Sequence, residues 1–337
     1  MEERMRKPLL RYIEAQSRID YAAMDEESKQ IIREVGVRNM FIQNRLSELM
    51  QRLDAEGIPS IVLKGAHLIQ NTYPFGIRPI EDIDILIDIL DFDKAEQILH
   101  GMGYGVCDVG IGRWANFTLS NKITYSTRTQ PVIPIDVHFT LGPYPYLGAL
   151  KRKLLFENTE SLETQNGERI TVLQPEVLLI HMCLHLFQHH FEDWQVSCCD
   201  IVAVIRQHHA RIDWKKFERM AEAHRLRLPV AYSLQKACEL ADMKIPVTWL
   251  HRDGEAEAGY YEKWVFRSSA AQRHGFDRFF IQYVTTPGIV LKLKCALQMI
   301  YPGNLFLKLH YQGSYLKYMV SASKIAFKGI TAIFIKR

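Results

Sequence analysis

The sequence predicts a mixed α/β module set between an N-terminal helical segment and a larger helical domain, with boundaries at 1–56, 57–173 and 174–337. Three observations carry this. Residues 8–56 repeat apolar side chains at helical spacing, residues 59–140 alternate short β-rich runs with helical ones, and from Gln174 onward nearly every stretch has helical periodicity. At 337 residues the chain also exceeds what one hydrophobic core usually serves, which argues for about two domains.

In chain order, Met40, Ile42, Leu46 and Leu49, with Leu53 a turn later, mark the first helical segment. SIVLK (60–64) reads as a strand, AHLIQNTY as helical, DIDILID (82–88) as a strand, and FDKAEQILHGMG (92–103) as a helix closed by glycine. FTLS (117–120), KITYST (122–127), VIPIDVHFT (132–140) and RITVL (169–173) are further strand candidates. Breaks in the helical half are expected near Pro229, Pro246, Gly254 and Pro287.

With 47% apolar and 24% charged residues, the composition is that of a globular protein and excludes disordered, collagen-like and disulfide-framework classes. The six cysteines form no CxxC pair and are read as reduced thiols of a cytoplasmic protein. The opening MEERMRKPLLRYIEAQSR has no apolar core of a secretory signal, and no run of about 18 uncharged apolar residues suggests a spanning helix. The net charge of +4 hides an asymmetry. Residues 278–337 hold nine Lys/Arg and no Asp/Glu, whereas residues 1–277 hold 33 basic against 38 acidic side chains, a net of −5. Such a tail suits nucleic acid, an anionic membrane surface or an acidic partner, and is equally compatible with a solvated helical face.

The sharpest chemical feature is IEDIDILID (80–88). On a strand, Asp82 and Asp84 project to one side while Ile83, Ile85 and Ile87 face the other, so burial of the isoleucines fixes where the carboxylates point. Two carboxylates at i, i+2 repel each other unless a cation sits between them, and oxygen-rich sites of this kind suit Mg²⁺ or Mn²⁺. A lone DxD is also a common surface feature. Here a second strand, Pro134-Ile135-Asp136-Val137-His138-Phe139, sets one acid among apolar neighbours, where an unused charge would be out of place. Asp136 could complete a three-carboxylate cluster, and His138 shares its face. Upstream, Lys64-Gly65-Ala66 joins a strand to a helix; glycine permits close backbone approach, the helix start offers N–H groups to phosphate, and Lys64 adds a point charge. Arg78, four residues before Asp82, suits a triphosphate clamp or an ordinary loop arginine.

A second constellation is His181, His185 and His189, stacked at i, i+4, i+8 on one helical face. Zinc ligation, a pocket wall and packed core histidines are all open readings, though no HExxH is present. Cys198-Cys199, Trp194 and Asp200 follow on the next helix, where burial is the default for the thiols and packing or the same cleft for the others.

Taken together, Leu63-Lys64-Gly65, Tyr73, Arg78, Asp82-Ile83-Asp84-Ile85-Leu86 and Asp136-Val137-His138 resemble the polymerase-β-like nucleotidyltransferase superfamily, and within it the group of uncharacterised nucleotidyltransferases. LQPEVLLIHMCLHLFQHHF, Asp200-Ile201 and MIYPGNLFLKLHY (299–311) are similar to the same group's helical half, so the resemblance covers about residues 40–312. Two departures stand out: Ala66 replaces the usual second glycine or serine of the turn, and 16 residues separate Gly65 from Asp82, somewhat more than is common.

The resemblance implies a mixed nucleotidyltransferase sheet and transfer of NMP from an NTP co-substrate, with loss of pyrophosphate. Asp82 and Asp84 would hold the metal on the triphosphate; the same pair with Asp136 would hold the metal that lowers the acceptor hydroxyl's pKa. Lys64, Gly65, Arg78, His138 and His185 would line the nucleotide site, and Asp136 could also act as general base. The implied acceptor is a hydroxyl or phosphate on a peptide natural product or small metabolite. Phosphoryl transfer at the same site, nucleotide binding without turnover, and a zinc hydrolase on the histidine helix are the competing expectations. Nucleic-acid polymerisation is disfavoured because the basic residues gather in one tail and form no template groove.

Overall fold

The computed structural model describes residues 3–15, 20–108, 122–141, 150, 152–164, 166–189, 194–224, 226–250 and 289–323. The expected strand at 117–120 and the expected breaks at Gly254 and Pro287 lie outside them. Two helices, α1 (Glu3–Glu14) and α2 (Glu26–Ala55), precede the sheet. Asp25 caps α2 by accepting from the Ser28 N–H at 2.7 Å. Its buried stripe runs through Ile31, Ile32, Val35, Ile42, Leu46, Leu49 and Leu53. Met40, expected on that stripe, is exposed, because two residues from Ile42 is the opposite side of a helix.

The sheet is mixed, as the resemblance implies, and among the described residues it has seven strands. Its strands are β1 (Ser60–Val62), β2 (Ile83–Ile87), β3 (Gly105–Asp108), β4 (Lys122–Ser126), β5 (Ile135–His138), β6 (Thr159–Glu163) and β7 (Arg169–Leu173), in the order β3-β4-β5-β2-β1-β7-β6. Helix α3 (Lys64–Asn71) follows β1, α4 (Phe92–Gly101) follows β2, and the short α5 (Arg152–Glu157) precedes β6. No local pattern separately marks β3, α5 or β6. In the centre, β2 pairs antiparallel with β1 and parallel with β5.

Residue alternation sends the two faces of this sheet to different cores. Ile83, Ile85 and Ile87 of β2, with Ile135 and Val137 of β5, join the cluster that contains Leu46, Leu49 and Leu53 of α2 and Ala95 and Leu99 of α4. Burying each such isoleucine is worth about 2 kcal/mol, which makes a one-residue slip of β2 costly and fixes the direction of its carboxylates. Leu86, on the opposite face, joins the cluster built from helices α6 (Pro175–His189), α7 (Trp194–His208), α8 (Trp214–Ala223) and α9 (Arg227–Ala241), together with Leu9, Tyr12 and Ile13 of α1. The face carrying Asp84 therefore looks toward the helical half. Pro229 does not break the chain as expected: it stands in the first turn of α9, where a proline's missing N–H is tolerated. The described C-terminal part contains α10 (Ile289–Ile300), α11 (Asn304–Tyr311) and a last helix at 315–323.

Candidate metal and nucleotide site

The parallel register of β2 and β5 sets Asp84 directly beside Asp136, and Leu86 beside His138. One oxygen each of Asp84 and Asp136 and one ring nitrogen of His138 lie within 4.8 Å of one another, and all three residues are buried. Asp82, expected as a full member of the acidic set, stands one residue ahead of β2 and outside this close group. Its electrostatic environment still ties it to the cluster. Burial and the charges of Asp84 and Asp136 push its carboxyl up to about 7, against the opposing pull of Lys64 and Lys122.

Each of the paired carboxylates is already hydrogen-bonded. Asp84 Oδ1 accepts from Lys64 Nζ at 2.6 Å and contacts His138 Nε2 at 2.7 Å. Burial alone would raise the Asp84 pKa, but the Lys64 charge and the His138 bond outweigh it and hold the carboxyl well below the usual range. Burial and Lys64 lower His138, so with Asp84 ionised the neutral ring donates from Nε2. Asp136 accepts from Thr124 Oγ1 at 2.6 Å and from Lys122 Nζ. Both partners come from β4, whose antiparallel register sets Thr124 opposite Asp136 and Lys122 opposite His138. Burial lowers the Lys122 pKa, and pairing with Asp136 more than reverses that. The Lys122 side chain is 34% exposed while that of Asp136 is 3% exposed, so the lysine reaches in from the solvent edge.

The glycine corner closes the other side. Lys64 has φ +45°, a left-handed conformation that costs a non-glycine residue of order 1 kcal/mol. Leu63 N–H donates to the Asp84 carbonyl at 2.9 Å, which anchors the corner to β2. Leu63 caps α3 without any side-chain hydrogen bond, consistent with N–H groups left for another acceptor. A Cβ on Gly65 would come within 2.5 Å of Ile80 Cγ2, so this position needs glycine for closeness.

Arg78 is placed differently from a free phosphate clamp. Its Nε and Nη2 both donate to Asp200 on α7 at 2.8 Å, and Nη1 donates to the Pro79 carbonyl. Tyr73 Oη donates to the same Asp200 at 3.0 Å. This buried triad joins the loop ahead of β2 to the helical half. From the other side, α2 holds that loop by its carbonyls: Arg38 donates to Ile80 and Glu81 at 3.1 and 3.2 Å, and Asn39 to Arg78 at 2.9 Å. The Phe75 ring occupies the notch left by Gly36, where a Cβ would lie 2.2 Å from it.

On α6, His181 is buried, and neither ring nitrogen has a hydrogen-bond partner among the described residues. Burial, Lys64 and His138 together hold it well below the usual histidine range, so it is a neutral imidazole close to the carboxylate group. His185 is half-buried, and the His189 side chain lies outside the described ones. Among the described side chains, His181 and His185 join no close set of potential metal ligands. Trp194 opens α7 and is partly exposed. Lys122, Thr124, Arg38 and Asn39 were not singled out from sequence. Only strand pairing and helix packing bring them to the site.

The donor set is compatible with a divalent cation. Two buried carboxylates in register, with the ring of His138 beside them, present hard oxygen donors that suit Mg²⁺ or Mn²⁺ once the lysines are displaced.

The family model described as "Uncharacterised nucleotidyltransferase" matches residues 14–242. Among solved structures, the chain is similar to an antigenic nucleotidyltransferase-like protein from Paracoccidioides brasiliensis, at 15% identity and a TM-score of 0.39, over 67% of this chain and 98% of that one. No curated protein matches the sequence.

Proposed function

Because the chain belongs to the uncharacterised nucleotidyltransferase family, we propose that it transfers a nucleoside monophosphate from an NTP to a hydroxyl or phosphate of a small acceptor, such as a peptide natural product or metabolite. The observation that carries this reading is the in-register pair Asp84–Asp136 with His138 beside it. Asp84 and Asp136, with Asp82 close by, would hold the divalent cation, which when bound supplies charge neutralisation to the triphosphate.

The protein's own groups perform the rest. Lys64 and Lys122 neutralise the carboxylates now, and both can turn to phosphate oxygens once a nucleotide arrives. Release of Lys122 frees an oxygen of Asp136 to accept the acceptor's proton. The acceptor oxygen then bonds to the α-phosphorus, the bond to the β-phosphate oxygen breaks, and pyrophosphate leaves with the electron pair. His138 keeps Asp84 oriented. Arg78, committed to Asp200, positions the loop ahead of Asp82.

Incubation with Mg²⁺, a cell extract and ATP labelled at either phosphate tests the reading. Label from the α-phosphate in the product, absent with Asp84→Asn and Asp136→Asn, is expected. Label from the γ-phosphate would replace it with phosphoryl transfer, and Mg²⁺-dependent NTP binding without product would replace it with a binding role.

A further inference from the structure

The C-terminal described helices carry an apolar surface that the reaction does not use. On α10, Ile289, Leu293, Leu297 and Ile300 recur at i, i+4, i+8 and i+11, one helical face, and all are exposed. On the last helix, 315–323, Leu316 is 74% exposed, with Met319 and Val320 exposed beside it. The two elements are tied together, since Tyr315 Oη donates to the Ile300 carbonyl at 2.7 Å. Their inner side is anchored: the Tyr318 ring is buried against Phe306 and Tyr311 of α11, and Phe306 packs on the sheet core. Such an array of outward apolar side chains marks a contact surface.

We propose that this surface docks on an anionic lipid bilayer. Charge selects that occupant. The surface lies within residues 278–337, which hold nine Lys/Arg and no Asp/Glu, while the rest of the chain is net negative. A second copy would bring the same cationic segment against itself, and nucleic acid would leave the leucine and isoleucine face unused. A bilayer takes both the apolar face and the positive charge. The twelve described residues of α10 span about 18 Å, against a hydrocarbon core of roughly 30 Å, so they dock along the membrane surface. Among the described residues no helix is long and apolar enough to cross one.

Flotation of the full chain with phosphatidylcholine vesicles, and with vesicles containing about 30% phosphatidylserine, tests this independently of any nucleotide chemistry. At least tenfold greater binding to the anionic vesicles is expected, weakened by high salt and lost in Leu293→Glu/Leu316→Glu, with melting temperature and Mg²⁺-dependent NTP binding in solution unchanged. The proposal is overturned if neither vesicle binds, or if the double variant still binds. It is equally overturned if the double variant instead disperses a dimer of the wild-type chain, or if the wild type prefers a nucleic-acid duplex to the anionic vesicles.

Discussion

Lys64 Nζ lies 2.6 Å from Asp84 Oδ1, so the glycine corner and the strand of paired acids are held to each other by an ion pair that is almost wholly buried. Asp84→Asn leaves the lysine charge without its partner and is expected to cost about 3 kcal/mol of stability. Adding Lys64→Met should restore at least 1 kcal/mol of that by the logic of a double-mutant cycle. Urea unfolding measures both. Nucleotide transfer should stay absent in the repaired double variant, since stability returns but the carboxylate does not.

Asp200 takes a two-pronged bond from Arg78 and a third from Tyr73. Asp200→Ala should destabilise by about 3–5 kcal/mol, because a buried guanidinium is left unpaired. Tyr73→Phe should lose only about 1 kcal/mol. Thermal melts of the two variants that came out equal would contradict this ranking.

Gly65→Ala drives a methyl to within 2.5 Å of Ile80 Cγ2, two residues ahead of Asp82. A cost of about 1–3 kcal/mol is expected from overpacking, with a fall in transfer larger than the loss of folded protein explains. Ile80→Ala in the same chain should relieve the contact. If the two substitutions simply add, the contact is not the cause.

His67 is buried near His208, and desolvation, with the His208 charge, holds its pKa at about 3. Unfolding returns it to about 6.5, so below that pH the unfolded chain binds a proton that the folded chain refuses. The stability this residue contributes is therefore complete above pH 6.5 and declines as acid takes the pH toward 3, by roughly 2 kcal/mol between pH 6.5 and 5. His67→Phe should flatten that slope in urea titrations at the two pH values; an unchanged slope would assign acid sensitivity elsewhere.

Much of the candidate site was legible because a single acid among apolar residues, as at Asp136, and a row of isoleucines, as in β2, each fix a face. Alternation alone sets His138 with Asp136. Lys122 and Thr124 were not legible, because their approach to Asp136 depends on the register between β4 and β5, which no local pattern states. Arg78 reads from the sequence as a phosphate clamp or a loop arginine, whereas its partner Asp200 stands 122 residues onward on a helix whose docking only the folded chain reveals. The three stacked histidines gave the opposite lesson. Their spacing leaves a zinc site open, yet among the described side chains the close ligand set forms around the histidine of a strand.

The grip of Arg38 and Asn39 on the carbonyls of residues 78, 80 and 81 has an evolutionary corollary. Any pressure on the aim of Asp82 falls also on a helix that places no carboxylate in the cluster. A shortened chain beginning at Ser60 would inherit all three carboxylates without the brace that steadies the first.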